Sequence, residues 1–497
     1  MVPTLFRCLD TVSKIRFEST DKEMTLKPSY WLTSQVLAMT TLILAASPSQ
    51  ANWDQANAFE EGQQRVAIGK DPMPGPRSCF WRYGPVSGDP YINIAFPDAG
   101  TFYWGAAFSV PKGAKLHLEG SFPHARYMSL ISYDRLGAPL DSVADYLIAP
   151  KPGASNPYLF GADRNSKQRG YKIEVVSEPL STPIPWGVYQ EAKTRDKIHA
   201  PGQAENGQQQ LIYRIYAGDK NTDETAGSGL PTPVLTLADG KELRGQDVCA
   251  SLSSFQPLSF DQAALATPRE YLNKLTEVAK ARGGPAMPAS NPPTWSKSSE
   301  SMSRYAIYTG DNTVASGTNK KDGTFFANLD NQYVRTFINR KHGEVFVIRA
   351  KAPTTPKTYN GNTKFEDGDL RYWSWCSQQG YASGRVNKCL FDEQIPVDAN
   401  GYYTLVLSRE SDRPRNAINE CGVSWLPIAD VGDGTGDPDL SFLVLRNMLG
   451  RGEFKHAVQN IKSQETIQQD MGDYFPRARY TTVSSFETAV PCQVEKR

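Results

Sequence analysis

Residues 103–123 (YWGAAFSVPKGAKLHLEGSFP) align without a gap, at an offset of 230, with residues 333–353 (YVRTFINRKHGEVFVIRAKAP). Tyr103 meets Tyr333, Gly113 meets Gly343 and Pro123 meets Pro353. Three further blocks follow in the same order. RYMS at 126–129 answers RYWS at 371–374, Gly170-Tyr171 answers Gly401-Tyr402, and LIYRIYA (211–217) answers LVLRNML (443–449). Ordered, colinear similarity of this kind marks an internal duplication, so the chain must build one architecture twice.

Each block reads as a strand. In KLHLEGSF, Leu116 and Leu118 alternate with His117 and Glu119, the two-residue period of a sheet with one buried face, and RYMSLISY and RYWSWCSQ alternate in the same way. Turn signals such as Lys112-Gly113, Asp239-Gly240 and Asn400-Gly401 separate them, in a chain with 39 glycines and 35 prolines. Helices are not regularly interleaved. The expected fold is therefore mainly β: two tandem antiparallel sandwich or jelly-roll domains with a few linking and terminal helices. A capping box at Thr267-Pro268-Arg269-Glu270 opens one helix that Gly283 and Gly284 end. Others are expected near Trp53–Val66 and over Glu453–Met471, where Phe454, Val458 and Ile461 share a face. The Pro/Gly/Ser-rich stretch 283–299 is the expected boundary. This divides the chain into a leader (1–51), an N-terminal sandwich (52–255), a helical and Pro/Gly/Ser-rich linker (256–302) and a C-terminal sandwich with a C-terminal helix (303–497).

Val36–Ala46 (VLAMTTLILAA) is the only sustained apolar run. It is too short to span a bilayer but suits a signal-peptide core, with Lys27 before it and Ser49-Gln50-Ala51 as a cleavage site. Cleavage is expected after Ala51, with Met24 an alternative start to Met1. No integral span would remain, and the destination would be the periplasm or the medium. Residues 1–51 carry five basic and four acidic residues, so the remainder holds 49 of each. That balance gives no one-sided field for nucleic acid or an anionic membrane surface. Removal of Cys8 leaves Cys79, Cys249, Cys376, Cys389, Cys421 and Cys492. An even set in an exported chain, without CxxC spacing, points to disulfides, with Cys79–Cys249 in the first half and the other four paired in the second.

The runs FPHARYMSLISYD (122–134), SNPYLFGADRN (155–165) and RGYKIEVV (169–176) resemble a family of exported bacterial proteins with no assigned activity. LRYWSWC (370–376), Gly401-Tyr402, Ser424-Trp425-Leu426-Pro427 and LSFLVLRNML (440–449) are similar to a bacterial domain of unknown function with a jelly-roll-like β fold. The resemblance covers most of residues 75–480 and brings no catalytic residues to carry over. The first half lacks the Trp-Leu-Pro signature.

Candidate chemistry is local. In an extended strand His124 and Arg126 share a face and Tyr127 takes the other, so a His–Arg pair could hold a carboxylate, phosphate or sulfate. The alternative is an internal ion pair from Arg126 to Asp134 or another acid. Arg371 and Tyr372 are the matching pair in the second copy. The six-residue string recurs as Phe475-Pro-Arg477-Ala-Arg479-Tyr480 with one change. Asp430, Asp433, Asp437 and Asp439 on a Gly-rich loop offer hard oxygen ligands for calcium, although in neither EF-hand nor nonapeptide spacing, and a solvated turn is the plainer reading. Trp373 and Trp375 share a strand face, as a sugar-stacking platform or as core. The histidines His117, His124, His199, His342 and His456 show no HExxH, and there is no P-loop, dinucleotide fingerprint or G-x-S-x-G elbow. The leading expectation is a small-molecule or glycan-binding protein whose ligand meets His124, Arg126, Tyr127, Arg371 and Tyr372. The alternatives are a secreted hydrolase or lyase using His124 and Arg126, and an envelope structural or interaction protein.

Overall fold

The computed structural model describes residues 74–134, 137–182, 187, 189, 193–202, 207–252, 277, 289–298, 326–379, 384–434 and 437–492. The apolar run 36–46, the cleavage site at Ala51 and the helices expected near Trp53–Val66 and after Thr267 lie outside the described residues.

The first half contributes β1 (Tyr83–Val86), β2 (Thr101–Phe108), β3 (Lys115–Ser121), β4 (Ala125–Tyr133), β5 (Pro139–Ala144), β6 (Gly170–Val176), β7 (Lys197–His199), β8 (Gln209–Gly218), β9 (Thr232–Thr236) and β10 (Glu242–Arg244). The second contributes β11 (Ser296–Ser298), β12 (Asn331–Asn339), β13 (Val345–Lys351), β14 (Leu370–Gln378), β15 (Val386–Phe391), β16 (Tyr402–Ser408), β17 (Val423–Pro427), β18 (Leu440–Gly450) and β19 (Arg477–Thr481). The front sheets run β1-β2-β8-β4-β5 and β11-β12-β18-β14-β15, and the back sheets run β10-β9-β3-β6-β7 and β19-β13-β16-β17. Apart from β10 the two halves match strand for strand. Even the single parallel pair recurs, β6 with β7 and β16 with β17. The duplication legible in the sequence is thus a duplicated tandem β-sandwich.

Within each sandwich the alternation works as expected. Trp104, Leu130, Leu211 and Tyr213 of one front sheet meet Leu116, Leu118, Ile173 and Leu235 of its back sheet. Trp373, Trp375, Leu443 and Leu445 meet Phe346, Ile348, Leu405 and Leu407 in the second. The tryptophan pair is therefore core. What alternation did not reveal is that the front strands have no wet face. All nine residues of β4, all nine of β14 and all eleven of β18 are buried, because the second faces of the two front sheets are turned toward each other.

That junction carries charge. Arg126, fully buried, donates from Nη1 to both oxygens of Asp392 at 3.0 Å, from Nη2 to Glu393 and from Nε to Thr358 Oγ1 at 2.8 Å. Its counterpart Arg371 donates to Asp145 at 2.9 Å. Asp145 and Asp392 each open a 3-10 turn directly after β5 and β15 and accept the backbone N–H of Met128 and of Trp373. The arginine of each half thus reaches the aspartate of the other. Reciprocal contacts of this kind are the mark of an approximate two-fold.

Three disulfides staple the body: Cys79–Cys249, Cys376–Cys389 and Cys421–Cys492. They are the chemistry of an oxidising compartment. Among the described residues no helix is long and apolar enough to cross a membrane.

Two expectations need correction. Glu453–Met471 is not one helix. It holds a 3-10 turn at Val458–Asn460 and a short α1 (Ile467–Met471). Its backbone is claimed by neighbours: Val458 N–H donates to the Asn447 side chain, and the Ile461 carbonyl accepts from Lys297. Phe454, Val458 and Ile461 are buried nonetheless. The end of the stretch read as linker is strand β11, paired to β12. A second short helix, α2 (Val483–Ala489), follows β19.

Removing one member of a buried ion pair strands the other. Arg126→Ala, which leaves Asp392 and Glu393 without their cation, is expected to cost about 3–5 kcal/mol in denaturant unfolding. Arg371→Ala should fall in the same range, and a loss below about 1 kcal/mol in both would contradict this account of the junction.

Candidate functional site: a cavity on the approximate two-fold

β8 and β18 each place one arginine on the face turned toward the other half. Leu211, Tyr213 and Ile215 of β8 enter their own sandwich, so by alternation Ile212, Arg214 and Tyr216 take the opposite face. By the same logic Leu443 and Leu445 of β18 enter the second sandwich, and Arg446 takes the opposite face together with Met448. Across the ladder Arg214 stands directly opposite Tyr103 of β2, and Arg446 opposite Tyr333 of β12. Each guanidinium lies over its tyrosine ring, 5.6 Å and 5.8 Å from the centroid. Each also reaches a carbonyl of the partner half: Arg446 donates to Phe96 O at 2.8 Å and Arg214 to Phe326 O. Phe96 and Phe326 hold the same left-handed backbone, φ 56° and 54°, a costly conformation for a residue with a side chain and one that the arginines pin on both sides.

These paired residues surround a cavity of about 110 Å3. Tyr83, Ile94, Phe96, Tyr103, Ile212, Tyr216, Phe326 and Tyr333 form its walls, and Arg214 and Arg446 supply its charge. Asn328 also contributes to its lining. Equivalent residues of both halves line it, so it sits where the approximate two-fold passes.

The arginines differ in their company. Arg446, 4% exposed, has Asp98 at 3.8 Å and donates to Cys376 Sγ at 2.6 Å. Arg214, 2% exposed, meets no carboxylate within ion-pair distance among the described residues, and its Nη1 has no hydrogen-bond acceptor there. The acid on its side, Asp330, accepts the Tyr127 hydroxyl at 2.6 Å. Burial pushes Asp330 up to about 6, against the pull of Tyr127, Arg371 and Arg214.

The residues singled out from sequence lie elsewhere. Arg126 and Arg371 are both paired with the junction acids, and Arg371 keeps Nη2 without an acceptor among the described residues. Tyr127 and Tyr372 donate their hydroxyls to Asp330 and to Asp98, behind the cavity. The acids that hold Arg126 are Asp392 and Glu393 rather than Asp134. His124 stands just before β4 and faces Arg169, whose Nη1 lies 2.8 Å from Nε2. Burial, then Arg169 and Arg164, pull its pKa down to about 4. His124 and Arg126 share no partner. The FPRARY string lies in β19, which occupies the place of β9 and not of β4.

The aspartate loop does not form a cage. Asp433 accepts Asp437 N–H at 3.0 Å, Asp437 accepts Asp439 N–H at 3.1 Å, and Asp439 pairs with Arg409 and Arg340 at 3.5 and 3.6 Å. The side chain of Asp430 is 87% exposed. Among the described residues the one His/Cys/Asp/Glu cluster tight enough to share an ion is Asp98 with Cys376 and Cys389, whose sulfurs are bonded to each other. In this arrangement these acids brace turns and meet arginines.

Sequence reading passed over Arg214, Arg446, Asp98 and Asn328. A signal for the arginines was present, since the one charged residue at the centre of each copy of the last shared apolar strand is Arg214 or Arg446.

No family model matches the chain, and no curated protein sequence matches it. Among solved structures it is similar to an uncharacterised protein from Burkholderia cenocepacia, at 10% identity over 79% of each chain with a TM-score of 0.42. It is also similar to a protein from Vibrio parahaemolyticus, at 12% identity over 86% of this chain and 97% of that one, with a TM-score of 0.37.

The depressed His124 gives a signed pH effect. The unfolded imidazole titrates near its ordinary 6.5 and the folded one near 4, so the unfolded chain takes the proton first. Stability is full above 6.5 and is lost as the pH falls toward 4. Between pH 6.5 and 4.5 the melting temperature of His124→Gln should fall less than that of the wild type. An equal fall in both would exclude His124 as the source.

Proposed function

We propose that the protein is an exported binding protein that holds a small anion in the cavity between its two sandwiches. The observation that carries this reading is Arg214, a buried guanidinium beside a cavity that, among the described residues, meets no carboxylate within ion-pair distance and keeps Nη1 without an acceptor. An arginine stays protonated, and an uncompensated buried charge is expensive. A ligand carboxylate supplies the missing charge and accepts a charge-assisted hydrogen bond. The aromatic walls supply the apolar contact that usually accounts for most of a small-ligand site. His124, pulled down to about 4, is a weak base at neutral pH, and we base no catalytic step on it. The three disulfides, the apolar run Val36–Ala46 and the small residues before Asn52 support export.

Arg214→Gln keeps length and a donor but removes the charge. It is expected to abolish the rise in melting temperature that small carboxylates give the wild type, with near-ultraviolet circular dichroism unchanged. Retained stabilisation by the same carboxylates would reject the site. Because protonation of Asp330 removes a negative charge near Arg214, affinity for a carboxylate should increase as the pH falls through about 6, and Asp330→Asn should flatten that dependence. Mass spectrometry of the exported chain should find Asn52 at the N-terminus, and an intact leader on that chain would overturn the export reading.

A further inference from the structure

The duplication supplies an internal comparison of the two arginines. At the offset of 230 that aligns the copies, Asp98 corresponds to Asn328, and the structure supports the match atom by atom. The Asp98 side chain accepts Gly100 N–H at 2.9 Å, and the Asn328 side chain accepts Asp330 N–H at 3.0 Å. Their carbonyls accept Thr101 N–H and Asn331 N–H, both at 3.0 Å. Gly100 O and Asp330 O in turn accept Ala217 and Leu449. Two equivalent turns thus carry different side chains. Arg446 has the Asp98 carboxylate 3.8 Å away; in the other copy the Asn328 amide meets the Tyr216 hydroxyl, and the acid of that turn, Asp330 in place of Gly100, accepts Tyr127.

Resting on the anion-site reading, we propose that this one difference sets the charge of the ligand: the cavity takes a monocarboxylate on a flat apolar body and rejects the dianion. Arg214 is the cavity guanidinium with no carboxylate within ion-pair distance among the described residues, because the acid on its side, Asp330, accepts Tyr127 instead. A single carboxylate completes that guanidinium. A second would meet Asp98, which already stands 3.8 Å from Arg446, or the apolar wall around Ile94 and Ile212, where a buried charge is costly. Size agrees. At about 10–15 Å3 per water-sized atom, the cavity accommodates roughly seven to eleven non-hydrogen atoms, a class that includes benzoate. Asp98 and Asn328 are then the specificity-determining pair, acting through the arginines.

The test uses titration calorimetry at pH 7.5 with benzoate, its neutral isostere benzamide and fumarate, a flat dianion small enough for the cavity. Wild-type protein should bind benzoate at least tenfold more tightly than either. Asn328→Asp adds a carboxylate to the turn on the Arg214 side, as Asp98 does on the side of Arg446, and should weaken benzoate at least tenfold without lowering the melting temperature. Asp98→Asn frees Arg446 and should shift preference at least tenfold toward fumarate; should that variant not fold, Asn328→Asp alone decides. Unchanged benzoate affinity in Asn328→Asp, or equal affinity of wild type for benzoate and fumarate, overturns the charge rule. The site itself survives that outcome if Arg214→Gln still abolishes benzoate binding. If benzoate, benzamide and fumarate all fail to bind the wild type, the anion site falls together with the rule.

Discussion

The junction between the two front sheets rests on two buried arginine–aspartate pairs, Arg126 with Asp392 and Arg371 with Asp145. Two broad β faces meeting through apolar contact alone slide easily against each other. Buried ion pairs resist that, because a shift of a few ångströms leaves charges unpaired in a medium that penalises them heavily. We attribute to these pairs the register of the whole body. They hold the 3-10 turns after β5 and β15, they keep β4, β14 and β18 dry on both faces, and they leave the cavity as the place where the two faces do not close.

Duplication followed by divergence explains why such a cavity has a direction. The halves share strand order, paired tyrosines, paired arginines and even the left-handed backbone at Phe96 and Phe326. They differ where it matters to charge. Asp98 stands 3.8 Å from Arg446, while the equivalent residue of the other copy is the neutral Asn328. The Cys376–Cys389 bridge crosses β14 and β15 at directly opposed positions, and the matching positions on β4 and β5 are Ile131 and Ser142. One side of the junction carries a disulfide and a carboxylate within ion-pair distance of its cavity arginine; among the described residues the other carries neither.

Much of the fold was legible because the relevant signals are local or periodic. The repeat blocks mapped onto matching strands, and Cys79–Cys249 with the remaining four cysteines paired as the halves implied. Glu453–Met471 misled because its apolar spacing suits a helix, whereas Asn447 and Lys297 claim its backbone from outside. The site was harder to read. Arg126 and Arg371 drew attention as charges beside tyrosines in apolar strands, but whether such a charge meets an acid or a cavity is settled by residues some 250 positions away in the chain. Arg214 carries the same local signature, and what sets it apart is that no carboxylate lies within ion-pair distance of it among the described residues.

The most direct measurement is a crystal structure of the protein soaked with 4-bromobenzoate, with the bromine located by its anomalous signal. The account predicts bromine among the rings of Phe96, Phe326, Tyr103 and Tyr333, with the carboxylate against Arg214 Nη1. An empty cavity, or bromine only at surface arginines such as Arg385 and Arg415, would contradict it.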